Sequence, residues 1–292
     1  MKRLLEKKWF TYLLFFLYGS LVTIFMYYPT FALDGYCQLS YGYNDYGQIF
    51  SKSGRFITSA IWKFFGFINI NANFLSIMAH LLSIAFLAYA SFEIYNCLKK
   101  YINDSKITRI ILLLGSLLVI FNPFTQGILV FEESFCMALS VMLSVIAARI
   151  IGEEINKKNY IISVLLMLCA NLLYQGTISF YIPFVMLISF FKNKNDDFST
   201  YVKKNFKSLV IYASVFLLGC VIEYALLHLY LKVFNYSSGK VGKVYIIQNI
   251  KLIINMFFTI LSTLRSMMFP LMFNISWILL SVEQSSTIIS SQ

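Results

Sequence analysis

Apolar residues run in long blocks along this chain, and the blocks rather than any strict alternation predict its elements. Runs near residues 10–28, 70–95, 134–151, 208–232 and 252–281 approach or exceed the roughly 20 apolar residues that carry a helix across a hydrocarbon core. Shorter runs lie near 107–121, 160–173 and 177–191. From Ile49 onward the pattern changes: Ile49, Phe50, Phe56, Ile57, Ala60, Ile61, Phe64 and Phe65 recur at helical spacing, with Gln48, Lys52, Arg55, Ser59 and Lys63 on the other side. This predicts an amphipathic helix lying on a membrane surface. Gly54 weakens it by about 1 kcal/mol relative to Ala and marks a place for a kink.

Composition turns the blocks into a membrane assignment. The 292 residues are 59% hydrophobic and 13% charged, with mean hydropathy +0.72, more apolar than the surface and core of a soluble domain can share out. The net charge of +11 would suit nucleic acid, but most basic residues sit in short clusters between apolar runs, the pattern of cytoplasmic loops, so no nucleic-acid partner is expected. The clusters are Lys2, Arg3, Lys7 and Lys8; Lys99, Lys100, Lys106 and Arg109; Arg149, Lys157 and Lys158; and Lys192, Lys194, Lys203, Lys204 and Lys207. The five cysteines are scattered and odd in number, so they mark neither a disulfide framework nor a metal site. The run from Phe10 to Tyr28 exceeds a signal-peptide core and no small-residue cleavage site follows; it is expected to be an uncleaved span with the N-terminus inside.

If every basic cluster is cytoplasmic, an even number of crossings separates each from the next. The segment from Asn122 to Ser134 then faces outward. Between Lys158 and Lys192 the chain goes out and back in about 33 residues, so each arm is a helix of roughly 21 to 23 Å, short of a core of roughly 30 Å. The turn at Tyr174, Gln175 and Gly176 is therefore expected below the outer surface, where polar backbone must line protein or a wet cavity. Residues 29–68 form a first outward loop carrying the surface helix, and 233–251 a later one. The whole chain, 1–292, is expected to be a single transmembrane domain.

Candidate chemistry lies on the outward side. Asp34 follows the first span in the run Phe31, Ala32, Leu33, Asp34, Gly35, Tyr36; partial desolvation there would make its carboxylate a better base, and a solvated loop acid is the plain alternative. Glu132 and Glu133 precede the span that starts near Ser134, as a second acidic point or as caps of that helix. Lys240, Lys243 and Lys251 make an outward basic stretch that either binds an anion or is an ordinary basic loop. Within the apolar runs, Glu223, His80, His228 and Arg265 stand out, since a charge at mid-bilayer costs about 3 kcal/mol on insertion scales. Arg265 can bind a phosphate or pair with Glu223, while the two histidines read as packing residues. No phosphate-cradling glycine loop, nucleophile elbow or metal motif is present.

Three blocks carry a resemblance. They are Asp34 with Ser53, Gly54, Arg55 and the aromatic helix after them; Phe121, Asn122, Pro123 and Phe124 followed by Glu133, Ser134, Met137, Ala138, Leu139 and Ser140; and Leu173, Tyr174 and Gln175. In this order the chain resembles the Gtr-type membrane glucosyltransferases of bacteria and their phages that decorate O-antigen. The resemblance implies an all-α polytopic membrane glycosyltransferase of the GT-C type, with about eight transmembrane or re-entrant helices, in the bacterial inner membrane with its active site facing outward. It implies undecaprenyl-phosphate glucose as donor, a surface polysaccharide as acceptor, and a flippase and a donor synthase of the same pathway as partners, with no cofactor and no metal. Asp34 takes the role of catalytic base, with Glu133 and Glu132 as further acids. Arg55, Asn122, Tyr174, Gln175, Lys240, Lys243 and Arg265 are expected to bind substrate. The family often pairs its first acid with a second, where Gly35 stands here, and many members continue through more spans, so a short version is expected. A lipid-linked sugar flippase and a polysaccharide polymerase are the alternatives.

Overall fold

The computed structural model describes residues 7–24, 33–102, 106–120, 125, 128–129, 131–193 and 198–236, and everything below concerns these. The last predicted apolar run, 252–281, lies outside them. The helices are α1 (Lys8–Val22), α2 (Leu33–Lys52), α3 (Phe56–Phe67), α4 (Ala72–Lys99), α5 (Lys106–Ile120), α6 (Ser134–Glu153), α7 (Lys157–Leu173), α8 (Tyr181–Lys192) and α9 (Phe198–Val233), with a 3-10 turn at Gln175–Phe180 between α7 and α8. Among the described residues, Ala72–Lys99, Ser134–Glu153 and Asn205–Val233 are long and apolar enough to cross a membrane, and Lys8–Val22, Phe56–Phe67, Ile107–Val119 and Tyr181–Lys192 are shorter apolar helices. Exposed apolar side chains recur at helical spacing: Trp9, Leu13, Leu17 and Leu21 on α1, and Ile107, Ile111, Leu114 and Leu118 on α5. Stripes of that kind belong against lipid rather than water.

The most enclosed helix is α6. It carries Ser134, Ser140, Ser144, Ala147, Ala148 and Gly152, all buried, and small residues let helices approach closely in a membrane. Alongside α4 it runs parallel: Ser83 Oγ donates to Ser134 Oγ at 2.9 Å, Arg149 pairs with the buried carboxylate of Glu93, and Lys100 Nζ reaches Glu153 Oε1 at 2.7 Å. With α7 it runs antiparallel, Ser140 Oγ donating to Ala170 O at 2.9 Å and Ser163 Oγ to Ala147 O at 3.1 Å. Lys192 Nζ, at the end of α8, donates to Gly152 O and Glu153 O. Lys100, Glu153 and Lys192 thus share one end of the bundle, as the charge-parity argument requires of their clusters. Thr58, which donates to Leu173 O at 2.8 Å, belongs to the opposite end.

The first loop differs from its predicted form. Asp34 stands not in open loop but as the second residue of α2, which bends at Gly42 (φ 77). The amphipathic stretch beginning at Ile49 is two helices, because α2 stops at Lys52 and α3 starts at Phe56. The stop is a Schellman ending: Arg55 N donates to Phe50 O at 3.0 Å and Gly54 N to Ser51 O at 3.2 Å, with Gly54 at φ +85. Its faces also differ. Ser59, expected on the polar side, is buried with Thr58 and Trp62, while Phe64 and Phe67 are exposed. In a bilayer the apolar face needs no protein cover, so the face turned to the protein can be the small and polar one. Trp62 closes a small aromatic core with Tyr46, Phe50 and Leu75.

Candidate active site

Three chain segments meet at the end of the bundle opposite Lys100: the α2–α3 joint, the turn after α7, and the upper part of α9. The turn forms because Tyr174 leaves the helix in an extended conformation (φ −159, ψ 110), and the helix resumes at Tyr181, with Pro183 in its first turn, where a missing N–H costs nothing. Two polar anchors hold the turn. Ser140 Oγ lies 3.1 Å from Tyr174 O, and Thr58 holds Leu173 O. The expected break between two short arms is present, and its polar residues are packed against the first loop rather than left in lipid.

Gln175 is the hub. Its Nε2 donates to Ser53 O at 3.0 Å and to Glu223 Oε1 at 3.1 Å, and its Oε1 accepts from Arg55 Nε at 3.4 Å. The Arg55 guanidinium lies 4.0 Å from the centroid of the Tyr174 ring and 5.7 Å from that of Phe50. Arg55, Tyr174 and Gln175, three residues 120 positions apart at most by the Arg55–Gln175 bond, therefore form one group. A cation stacked on an aromatic face is held with little rotamer freedom left. Nearby, Lys52 Nζ lies 4.5 Å from the centroid of the Tyr236 ring, and Tyr230 OH donates to Ser51 Oγ at 3.2 Å.

Glu223 is the residue whose place in this group the sequence did not reveal. Its only signal was a carboxylate in an apolar run, and the expected partner was Arg265, which lies outside the described residues. Gly54 makes the approach possible: a Cβ there would come within 2.1 Å of Glu223 Oε1.

Glu132 and Glu133 are both buried, at 5% and 4% exposure. Glu133 is the N-cap residue of α6, the position that the helix-terminus alternative gives it, and makes no side-chain capping bond. Glu132 is close to Tyr43, whose hydroxyl is pushed above its ordinary range by burial and then by the Glu132 charge. Just past Glu133, Phe135 packs on Trp62 and Phe65 of α3, the helix whose N-cap is Arg55. His80 is buried with Nε2 3.1 Å from Thr23 Oγ1, and the His228 ring packs on Tyr224; both fit packing roles. Asp34 is placed by its backbone alone, and Asn122, Lys240, Lys243 and Arg265 lie outside the described residues. No cluster of three metal-ligating side chains occurs among the described residues.

The described residues thus form a helical membrane protein with a stacked arginine, an amide hub and buried carboxylates toward one end. The profile described as Glucosyl transferase GtrII matches residues 42–287, and the chain belongs to that glucosyltransferase family. No curated protein and no solved structure matches it.

Proposed function

We propose that the chain transfers glucose from undecaprenyl-phosphate glucose to a surface polysaccharide such as O-antigen, on the non-cytoplasmic face of the bacterial inner membrane. The observation that carries the reading is the Arg55 group: a guanidinium held by Gln175 and stacked on Tyr174, in a membrane chain of the GtrII family. An arginine so held suits a phosphate, which it can engage with two parallel N–H donors.

The transfer needs few parts. An acceptor hydroxyl attacks the anomeric carbon of glucose, the bond from that carbon to the phosphate oxygen breaks, and polyprenyl phosphate leaves with the electron pair. Asp34 takes the acceptor proton. Arg55 stabilises the second negative charge that develops on the leaving phosphate. Asn122, Tyr174 and Gln175 orient the headgroup, and Glu132 and Glu133 are the further acids of the site. Incubating the purified protein with undecaprenyl-phosphate glucose and O-antigen should release undecaprenyl phosphate in step with glucosylated polysaccharide. A flippase would move the donor without cleaving it, and a polymerase would lengthen the acceptor without consuming the glucose donor.

A further inference from the structure

We infer that Glu223 is a positioning residue that sets the orientation of Arg55 through the Gln175 amide, a role that rests on the donor reading above. A primary amide has one donating and one accepting end. Ser53 O and Glu223 Oε1 both lie within hydrogen-bond reach of Gln175 Nε2, and a backbone carbonyl can only accept. A flipped amide would set its oxygen against both acceptors. With Nε2 held there, Oε1 faces Arg55 Nε, and the guanidinium carbon lies over the Tyr174 ring.

The consequence is geometric. Nε is committed to Gln175, and among the described residues nothing bonds the two terminal nitrogens, which form the other edge of the fork. That edge suits two oxygens of one phosphate. The site is built around Glu223, which is 9% exposed and whose Oε1 takes the space that any side chain at position 54 would need. During transfer the bound phosphate goes from one negative charge to two, so fixing the fork in advance contributes most in the transition state.

The role predicts coupling. Release of undecaprenyl phosphate from undecaprenyl-phosphate glucose, with O-antigen as acceptor, is measured for the full chain and for Glu223→Ala, Glu223→Gln, Arg55→Ala and the Glu223→Ala/Arg55→Ala double variant. Hydrogen bonds to charged groups are worth enough that Glu223→Ala should lower kcat/KM for the donor about tenfold or more. Glu223→Gln, which keeps an accepting oxygen, should recover most of that loss. In the Arg55→Ala background, removing Glu223 should cost less than about twofold further, because the residue acts through the missing cation. An unchanged kcat/KM in Glu223→Ala, or the same tenfold loss with and without Arg55, would overturn the relay while leaving the donor assignment intact. A wild-type protein that releases no undecaprenyl phosphate overturns the donor assignment and the relay with it.

Discussion

Arg55 shows how much one side chain owes to its neighbours. Its guanidinium is fixed on one edge by Gln175 and on one face by Tyr174, so its remaining donors have a set direction before any ligand arrives. Arg55→Lys keeps the charge and loses both restraints, and should reduce transfer by about tenfold or more, measured as undecaprenyl phosphate released. Gln175→Ala removes the hub and should lower transfer to a similar degree while the protein still inserts and elutes as a single species from detergent. Normal activity in Gln175→Ala would leave that residue with packing alone. The catalytic expectation is larger, since a positioned base contributes about 10² to 10⁴ in rate: Asp34→Asn should lose at least a hundredfold. Asp45, exposed in the same helix, is the internal control, and Asp45→Asn should transfer normally. The reverse pattern would assign the base to the wrong carboxylate.

At the scale of elements, two joints decide the arrangement. The Schellman ending at Ser53, Gly54 and Arg55 stops α2 and turns Arg55 toward the bundle. Gly54 is needed there twice, for its positive φ and for the room it leaves Glu223. Asn tolerates that backbone conformation and Ala does not, yet both add a Cβ. Gly54→Ala, which meets both the strain and the crowding, should therefore impair transfer more than Gly54→Asn, which has only the Glu223 side chain to displace; an equal loss in the two variants would mean that crowding alone sets the limit. The second joint is the α4–α6 pair, where Arg149 faces the buried Glu93. Arg149→Ala leaves a carboxylate uncompensated in the bundle and should destabilise it by about 3 kcal/mol. Replacing both partners, as Glu93→Gln with Arg149→Met, should restore at least half of the lost melting temperature in detergent. An equal loss in the double variant would mean that the pair serves packing rather than charge balance.

For the whole molecule, the helices reverse so that Lys100, Glu153 and Lys192 meet at one end and Arg55, Gln175 and Glu223 at the other. In the proposed topology the positive-inside bias puts the first end in the cytoplasm and the second outside. Single cysteines at positions 34, 133 and 240, in a cysteine-free background, should be reached from outside by a membrane-impermeant reagent, the one at 133 slowly, since Glu133 is buried. Cysteines at 100, 157 and 204 should be protected until the membrane is opened. Labelling of position 204 from outside would sink this topology.

Much of this was legible in residue order alone. Long apolar runs must be helices in a bilayer, because no other local structure satisfies their backbone groups there. Basic clusters must lie on one side because moving charge across is costly, so the shared end of α4, α6 and α8 and the break between α7 and α8 at Tyr174 and Gln175 followed from spacing, whereas Arg55 was singled out through the family resemblance. The tertiary structure decided the rest. Periodicity made Ile49 to Phe65 one surface helix, but a pattern of polarity does not say whether lipid or protein covers the apolar face, and packing turned Ser59 inward and Phe64 outward. Residue order marked Glu223 as costly without naming its partner. That partner, Gln175, is 48 residues away and reaches it only because a helix break and a glycine ending bring three segments to one point, which no local pattern encodes.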